Sequence, residues 1–152
     1  QDDWVSPKFG AWAARLDDYV SRARRPIVLI AHSLGTSLIM HWASRSDTSR
    51  IAGAFMVAPS DRGPADIWPD ATDSGFAPML LQPLPFPAMV LASRDDPYVA
   101  FDRAQIFAEA WGATLVDMGQ SGHMGNAANL GLWPAGLVHF GAFLGTLTRQ
   151  PS

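Results

Sequence analysis

The sequence predicts an α/β protein in which a parallel sheet is flanked by helices. Three observations carry this. Short apolar runs stand at 27–31, 51–58, 88–92 and 114–118. Segments whose apolar residues recur at helical spacing lie between or around them. The first two runs do not alternate with polar residues, which is the pattern of parallel strands covered on both faces.

Each element has a local reason. Pro7 suits the first position of a helix, where its missing N–H costs nothing. Phe9, Trp12, Ala13, Leu16, Val20 and Ala23 then form one apolar stripe, and Arg25-Pro26 ends it. Ile27 to Ala31 reads as a buried strand, followed by a helix from about Leu34 to Ser44. Ile51 to Ala58 reads as a second buried strand, closed by Pro59. From Ser60 to Phe86, residues Pro64, Pro69, Pro78, Pro83 and Pro85 break regular structure. A loop of that length is either a connector packed over the sheet edge or a small lid. Ala88 to Ala92 is a third strand. Phe101, Ala104, Phe107, Ala108 and Trp111 mark a helix stopped by Gly112. Thr114 to Met118 is a fourth strand, and Pro134 opens a last helix carrying Leu137, Val138, Phe140, Phe143, Leu144 and Leu147. With no internal repeat, residues 1–152 read as one domain.

Composition narrows the function. Hydrophobic residues make up 48% and charged residues 16%, as in a globular protein. A net charge of -3 argues against a broad nucleic-acid surface. Arg22, Arg24 and Arg25 sit where they complement a helix C-terminus. The absence of cysteine excludes disulfides and cysteine-based zinc sites. The first residues lack a signal-peptide pattern, and no apolar run approaches the roughly 20 residues that span a bilayer. A cytoplasmic protein without a membrane partner is therefore expected.

The strand-to-helix junction Ala31-His32-Ser33-Leu34-Gly35 carries the first chemical signal. A serine flanked by small residues on such a turn matches the nucleophile elbow G-x-S-x-G, with alanine in place of the first glycine. The plainer reading is a serine capping the helix. Two more strand ends decide between them. The third strand runs into Ser93-Arg94-Asp95-Asp96-Pro97-Tyr98 and the fourth into Gly119-Gln120-Ser121-Gly122-His123. Sites in open α/β sheets gather past the carboxyl ends of strands. Ser, Asp, His is also the chain order of the triad built on this elbow.

The chemistry assigns the roles. Ser33 needs a base to take its proton as it attacks, and His123 is the candidate. An aspartate would fix the imidazole's tautomer. Asp96 is favoured, at the tip of the turn before Pro97, and Asp95 is the alternative. The backbone N–H of Leu34 is the candidate oxyanion donor. His32 supports the turn, and with Trp68 and Phe76 it is a candidate wall of the substrate pocket. His41 and His139 lie in predicted helices, and the histidine spacing suggests no metal site.

Together these residues resemble the small serine α/β-hydrolases related to retinoblastoma-binding protein nine, especially their bacterial relatives. The resemblance runs through Asp3-Trp4, the elbow, Gly53-Ala54, Val57-Ala58-Pro59 and Leu84-Pro85-Phe86-Pro87. It continues through Ala92 to Tyr98, Ala110-Trp111-Gly112, Gly122-His123 and Gly131-Leu132-Trp133-Pro134. It implies a Rossmann-like sheet, a Ser33-Asp96-His123 triad, no cofactor and esterase-like hydrolysis. The leading expectation is a serine hydrolase acting on a small ester, thioester or amide. The sequence departs from the family at Met124-Gly125, where isoleucine and then asparagine usually follow the histidine. The added glycine is expected to loosen the His123 loop. Family members also begin with a strand, a loop and a further strand ahead of Asp3-Trp4, so the sheet is expected to lack its N-terminal strands and the second oxyanion donor. The alternative class is a protein-interaction module retaining a relic triad, for which no partner-binding segment is visible.

Overall fold

The computed structural model describes residues 1–61 and 74–148. Helix α1 spans Phe9–Arg22, and strand β1 (Ile27–Ser33) runs directly into α2 (Leu34–Ala43). Strands β2 (Ile51–Pro59) and β3 (Ala88–Ala92) follow. Then come α3 (Phe101–Trp111), β4 (Thr114–Asp117), a short 3-10 turn at Asn126–Ala128 and α4 (Pro134–Leu147). The sheet is parallel throughout, in the order β1-β2-β3-β4. Parallel neighbours need crossover connections, and α2 and α3 supply two of them.

Side chains on β2 and β3 alternate between two cores, as the pleat requires. Ala54, Met56, Ala88, Val90 and Ala92 face the core built with α1, α2 and α3. Phe55, Val57, Met89 and Leu91 face a second core capped by Phe143 of α4. The apolar runs of β2 and β3 therefore do not alternate because both faces are covered. Helix α2 lies deepest: every residue from Thr36 to Trp42 is buried. Its Trp42 indole N–H donates to Asp17 of α1 at 2.5 Å.

The secondary structure and sheet differ from the sequence expectations in four places. Helix α1 begins at Phe9, with extended Lys8 before it, so Pro7 precedes the helix instead of opening it. Strand β1 continues to Ser33, and β4 stops at Asp117. Strand β1 is also only partly buried: among the described residues no strand pairs with its outer edge, and Ile30 is 64% exposed while Leu29 is buried. Its apolar composition reflects the core it faces through Leu29.

Within the long connector, Trp68 falls outside the described residues. The part after it is packed. Phe76, Met79 and Phe86 are buried, and the Trp111 indole N–H donates to the Leu80 carbonyl at 2.8 Å. Among the described residues, no helix is long and apolar enough to cross a membrane.

Candidate active site

Ser33 ends β1 and precedes the first residue of α2, with φ 53° and ψ -118°. A non-glycine residue in that region costs on the order of 1–3 kcal/mol and persists only where its surroundings enforce it. The enforcement comes from tight strand-to-helix packing. A Cβ added to Gly35 would stand 3.3 Å from the Cβ of Ala31. The alanine methyl is tolerated because the residue across from it has none. Leu34 is the first helical residue, so its N–H has no carbonyl partner within α2.

The turn brings Ser33 to His123. The Ser33 Oγ lies 2.8 Å from His123 Nε2. On the other side of the ring, Nδ1 lies 2.9 and 2.8 Å from the two oxygens of Asp96. A carboxylate only accepts, so Nδ1 carries the proton and Nε2 is free to accept from the serine hydroxyl. The Asp96 side chain is fully covered and that of His123 is 17% exposed. Asp96 is itself held by the Tyr98 backbone N–H, which donates to Oδ1 at 2.9 Å. The imidazole touches two further rings, Tyr98 at 4.5 Å and His32 at 4.7 Å between centroids.

Asp95 bonds elsewhere. Its Oδ1 accepts from the Ser93 hydroxyl at 2.6 Å and from the Gly122 N–H at 2.8 Å. These two bonds, the serine's first, hold its carboxyl below the usual carboxylate range. Ser93 Oγ in turn accepts from the Ser121 N–H at 2.9 Å. Ser93 and Asp95 thus tie down the loop leading into His123. Sequence reasoning missed this latch, although two polar residues of short reach in Ser93-x-Asp95 are the usual signal of a side chain bonding nearby backbone.

At the Met124-Gly125 departure both residues are packed against neighbours. Met124 adopts φ 47° and is buried with Phe55, Leu91 and Phe143. Gly125 packs against His32, where an added Cβ would stand 3.3 Å from ring carbon Cε1. His32 reaches the His123 carbonyl oxygen with Nε2 at 2.7 Å. Part of its ring is exposed, yet burial of the rest holds its pKa below the ordinary value. The bond to that carbonyl partly opposes the shift.

The remaining histidines stand apart. His41 is buried in α2 and donates from Nε2 to the Pro78 carbonyl at 3.0 Å. His139 is half-buried in α4. No group of three or more metal-ligating side chains occurs among the described residues.

An open apolar groove of about 700 Å³ reaches Ser33, Leu34 and His123 along β1, with Trp4, Trp12 and Leu38 in its walls. A smaller cleft of about 340 Å³ meets His123 from another side, bordered by His32, Tyr98 and Asn126. Phe76 lines neither. Its ring is wholly buried edge-on against Trp12 and Phe9, which corrects the sequence expectation that it shapes the pocket. Aromatic content in a Pro-rich loop does not separate a pocket wall from the core behind it.

Comparison with known proteins bears on the family and the fold. The family described as "Serine hydrolase" matches residues 1–142. No curated protein sequence matches the chain. A protein from Pectobacterium atrosepticum, described as a YdeN-like hydrolase, is 31% identical with a TM-score of 0.81. The match covers 97% of this chain and 75% of that one. The ydeN gene product of B. subtilis is 20% identical, with a TM-score of 0.62 over 78% of this chain and 66% of that one. A monoacylglycerol lipase from Paleococcus ferrophilus is 12% identical, with a TM-score of 0.58 over 78% of this chain and 68% of its own. The last two show the shared α/β-hydrolase fold alone. From the family match and the Pectobacterium relative, the chain belongs to the serine hydrolase family.

Proposed function

We propose that this protein cleaves a small ester, thioester or amide through an acyl-enzyme formed on Ser33. Within the serine hydrolases, its motifs ally it with the group related to retinoblastoma-binding protein nine. The observation that carries the reading is the continuous hydrogen-bond path from Ser33 Oγ through the His123 ring to Asp96, with contacts of 2.8 Å at both ends.

Ser33 attacks the substrate carbonyl as its proton passes to His123 Nε2. Asp96 holds the ring in the tautomer that leaves Nε2 free, then stabilises the imidazolium. The Leu34 N–H donates to the oxyanion. His123 returns the proton to the departing alcohol, thiol or amine, leaving the acyl group on Ser33. Water, deprotonated by the same nitrogen, then frees the acid and restores the hydroxyl. Each step uses groups of this chain and water. The intact Ser33-His123-Asp96 contacts support hydrolysis over a relic site.

Hydrolysis of p-nitrophenyl acetate by the purified protein tests the reading. A burst of nitrophenol stoichiometric with protein, followed by slower turnover, is the expected sign of an acyl-enzyme. Ser33→Ala and His123→Ala should each lower turnover by about 10⁴-fold or more. Hydrolysis unchanged in Ser33→Ala would reject the proposed nucleophile.

A further inference from the structure

The strand end carrying Ser33 and the loop carrying His123 meet at two points. One is the Ser33 hydroxyl on His123 Nε2. The other is His32 Nε2, 2.7 Å from the carbonyl oxygen of His123. A carbonyl only accepts, so the His32 proton resides on Nε2. The two imidazoles lie 4.7 Å apart at 57°. Gly125 closes against the same ring, at a distance that leaves no room for a Cβ without a shift of a few tenths of an ångström.

We propose that His32 is a positioning residue for His123, fixing the backbone from which the imidazole reaches Ser33. This rests on the reading of Ser33 and His123 given above. The His123 loop contains Gly119 and Gly122, both at positive φ, and the Ser93 and Asp95 side chains hold its backbone at Ser121 and Gly122, ahead of the histidine. Asp96 holds the ring's far nitrogen, and a ring tethered at one edge can still pivot. The bond to the His123 carbonyl adds a main-chain anchor at the histidine itself, beyond those at Ser121 and Gly122. The anchor is the chain neighbour of Ser33, so base and nucleophile share one reference, the end of β1. Errors elsewhere in the fold then move both together. Misplacement by about 1 Å costs on the order of 100-fold in rate.

Charge is consistent with the same role. When His123 takes the serine proton, a second cation at that distance would oppose it. His32 is surrounded by His123, its carbonyl and the Asp96 carboxylate. Burial, the largest influence, favours the neutral ring. His32 therefore positions its neighbour without adding a like charge.

The test compares wild type, His32→Leu and His32→Gln, using the rate of labelling by a fluorophosphonate and kcat and KM on p-nitrophenyl acetate. Gln carries an amide N–H near the place of Nε2, and Leu carries none. Leu should slow labelling and lower kcat by roughly 10- to 100-fold with KM nearly unchanged, and Gln should recover most of the loss. Leu within about twofold of wild type overturns the role. Gln as slow as Leu also overturns it, because ring packing and not the donated bond would then matter. Nitrogen-15 NMR of wild-type imidazoles needs no variant. His32 should appear as the Nε2–H tautomer, and an Nδ1–H tautomer overturns the proposal even if the variants fail to fold. Equal labelling of wild type and Ser33→Ala would instead defeat the hydrolase reading itself.

Discussion

Asp96 meets the His123 ring at 2.8 Å, while Asp95, one residue earlier, meets the backbone N–H of Gly122 at 2.8 Å. Adjacent carboxylates thus hold the same loop by its side chain and by its main chain. The difference predicts unequal mutants. Asp96→Asn should lower kcat by about 10⁴-fold, because a neutral amide supports the wrong imidazole tautomer. Asp95→Asn retains an oxygen for Gly122 and should cost less than about 10-fold, with faster hydrogen exchange at the Gly122 and Ser121 amides. Steady-state kinetics and exchange on both variants check this. Equal losses would mean that Asp95 also acts on the imidazole.

Much of this arrangement was legible in the sequence. The strand-helix alternation, the elbow and the order Ser33, Asp96, His123 follow from local pattern, and Gly112 ends its helix at φ 67° as such glycines do. Other features depend on partners remote in the chain. The exposure of Ile30 depends on what pairs with β1, which an apolar run does not encode. Whether Phe76 faces a pocket or the core depends on Trp12 and Phe9, more than sixty residues earlier. The bond from His32 to His123 joins residues 91 apart, so no motif scan would find it.

Phe76 supports structure and not substrate. Phe76→Ala should destabilise the fold by about 3–5 kcal/mol, the usual range for removing a buried phenylalanine. Denaturant unfolding measures the loss. The fluorophosphonate labelling rate, corrected for folded fraction, should stay near that of wild type. A selective change in labelling would place Phe76 in the pocket after all.

The elbow's packing makes its own demand. Gly35→Val adds branched bulk where even a single Cβ would stand 3.3 Å from the Cβ of Ala31. Overpacking of this kind costs typically about 1–3 kcal/mol. It also pushes the turn away from the Ser33 geometry, so both the unfolding midpoint and the labelling rate should fall. A Gly35→Val protein as stable and as reactive as wild type would show that the turn tolerates a wider approach.

Stability should weaken on mild acidification. Burial holds both His32 and His41 below the ordinary histidine value. Below about pH 6.5 the unfolded chain therefore binds protons that the folded one refuses, and folding loses free energy as pH falls. The unfolding midpoint should drop between about pH 7 and pH 5. His41→Gln, which keeps an N–H for the Pro78 carbonyl, should flatten that slope. Identical slopes in the two proteins would assign the acid sensitivity to other groups.

Intact-mass spectrometry with peptide mapping after fluorophosphonate treatment shows whether Ser33 is a nucleophile activated by His123. One adduct per chain is expected, located on Ser33, absent in Ser33→Ala and formed at least about 100-fold more slowly in His123→Ala. An adduct on another residue, or labelling of Ser33 at the same rate without His123, would contradict it.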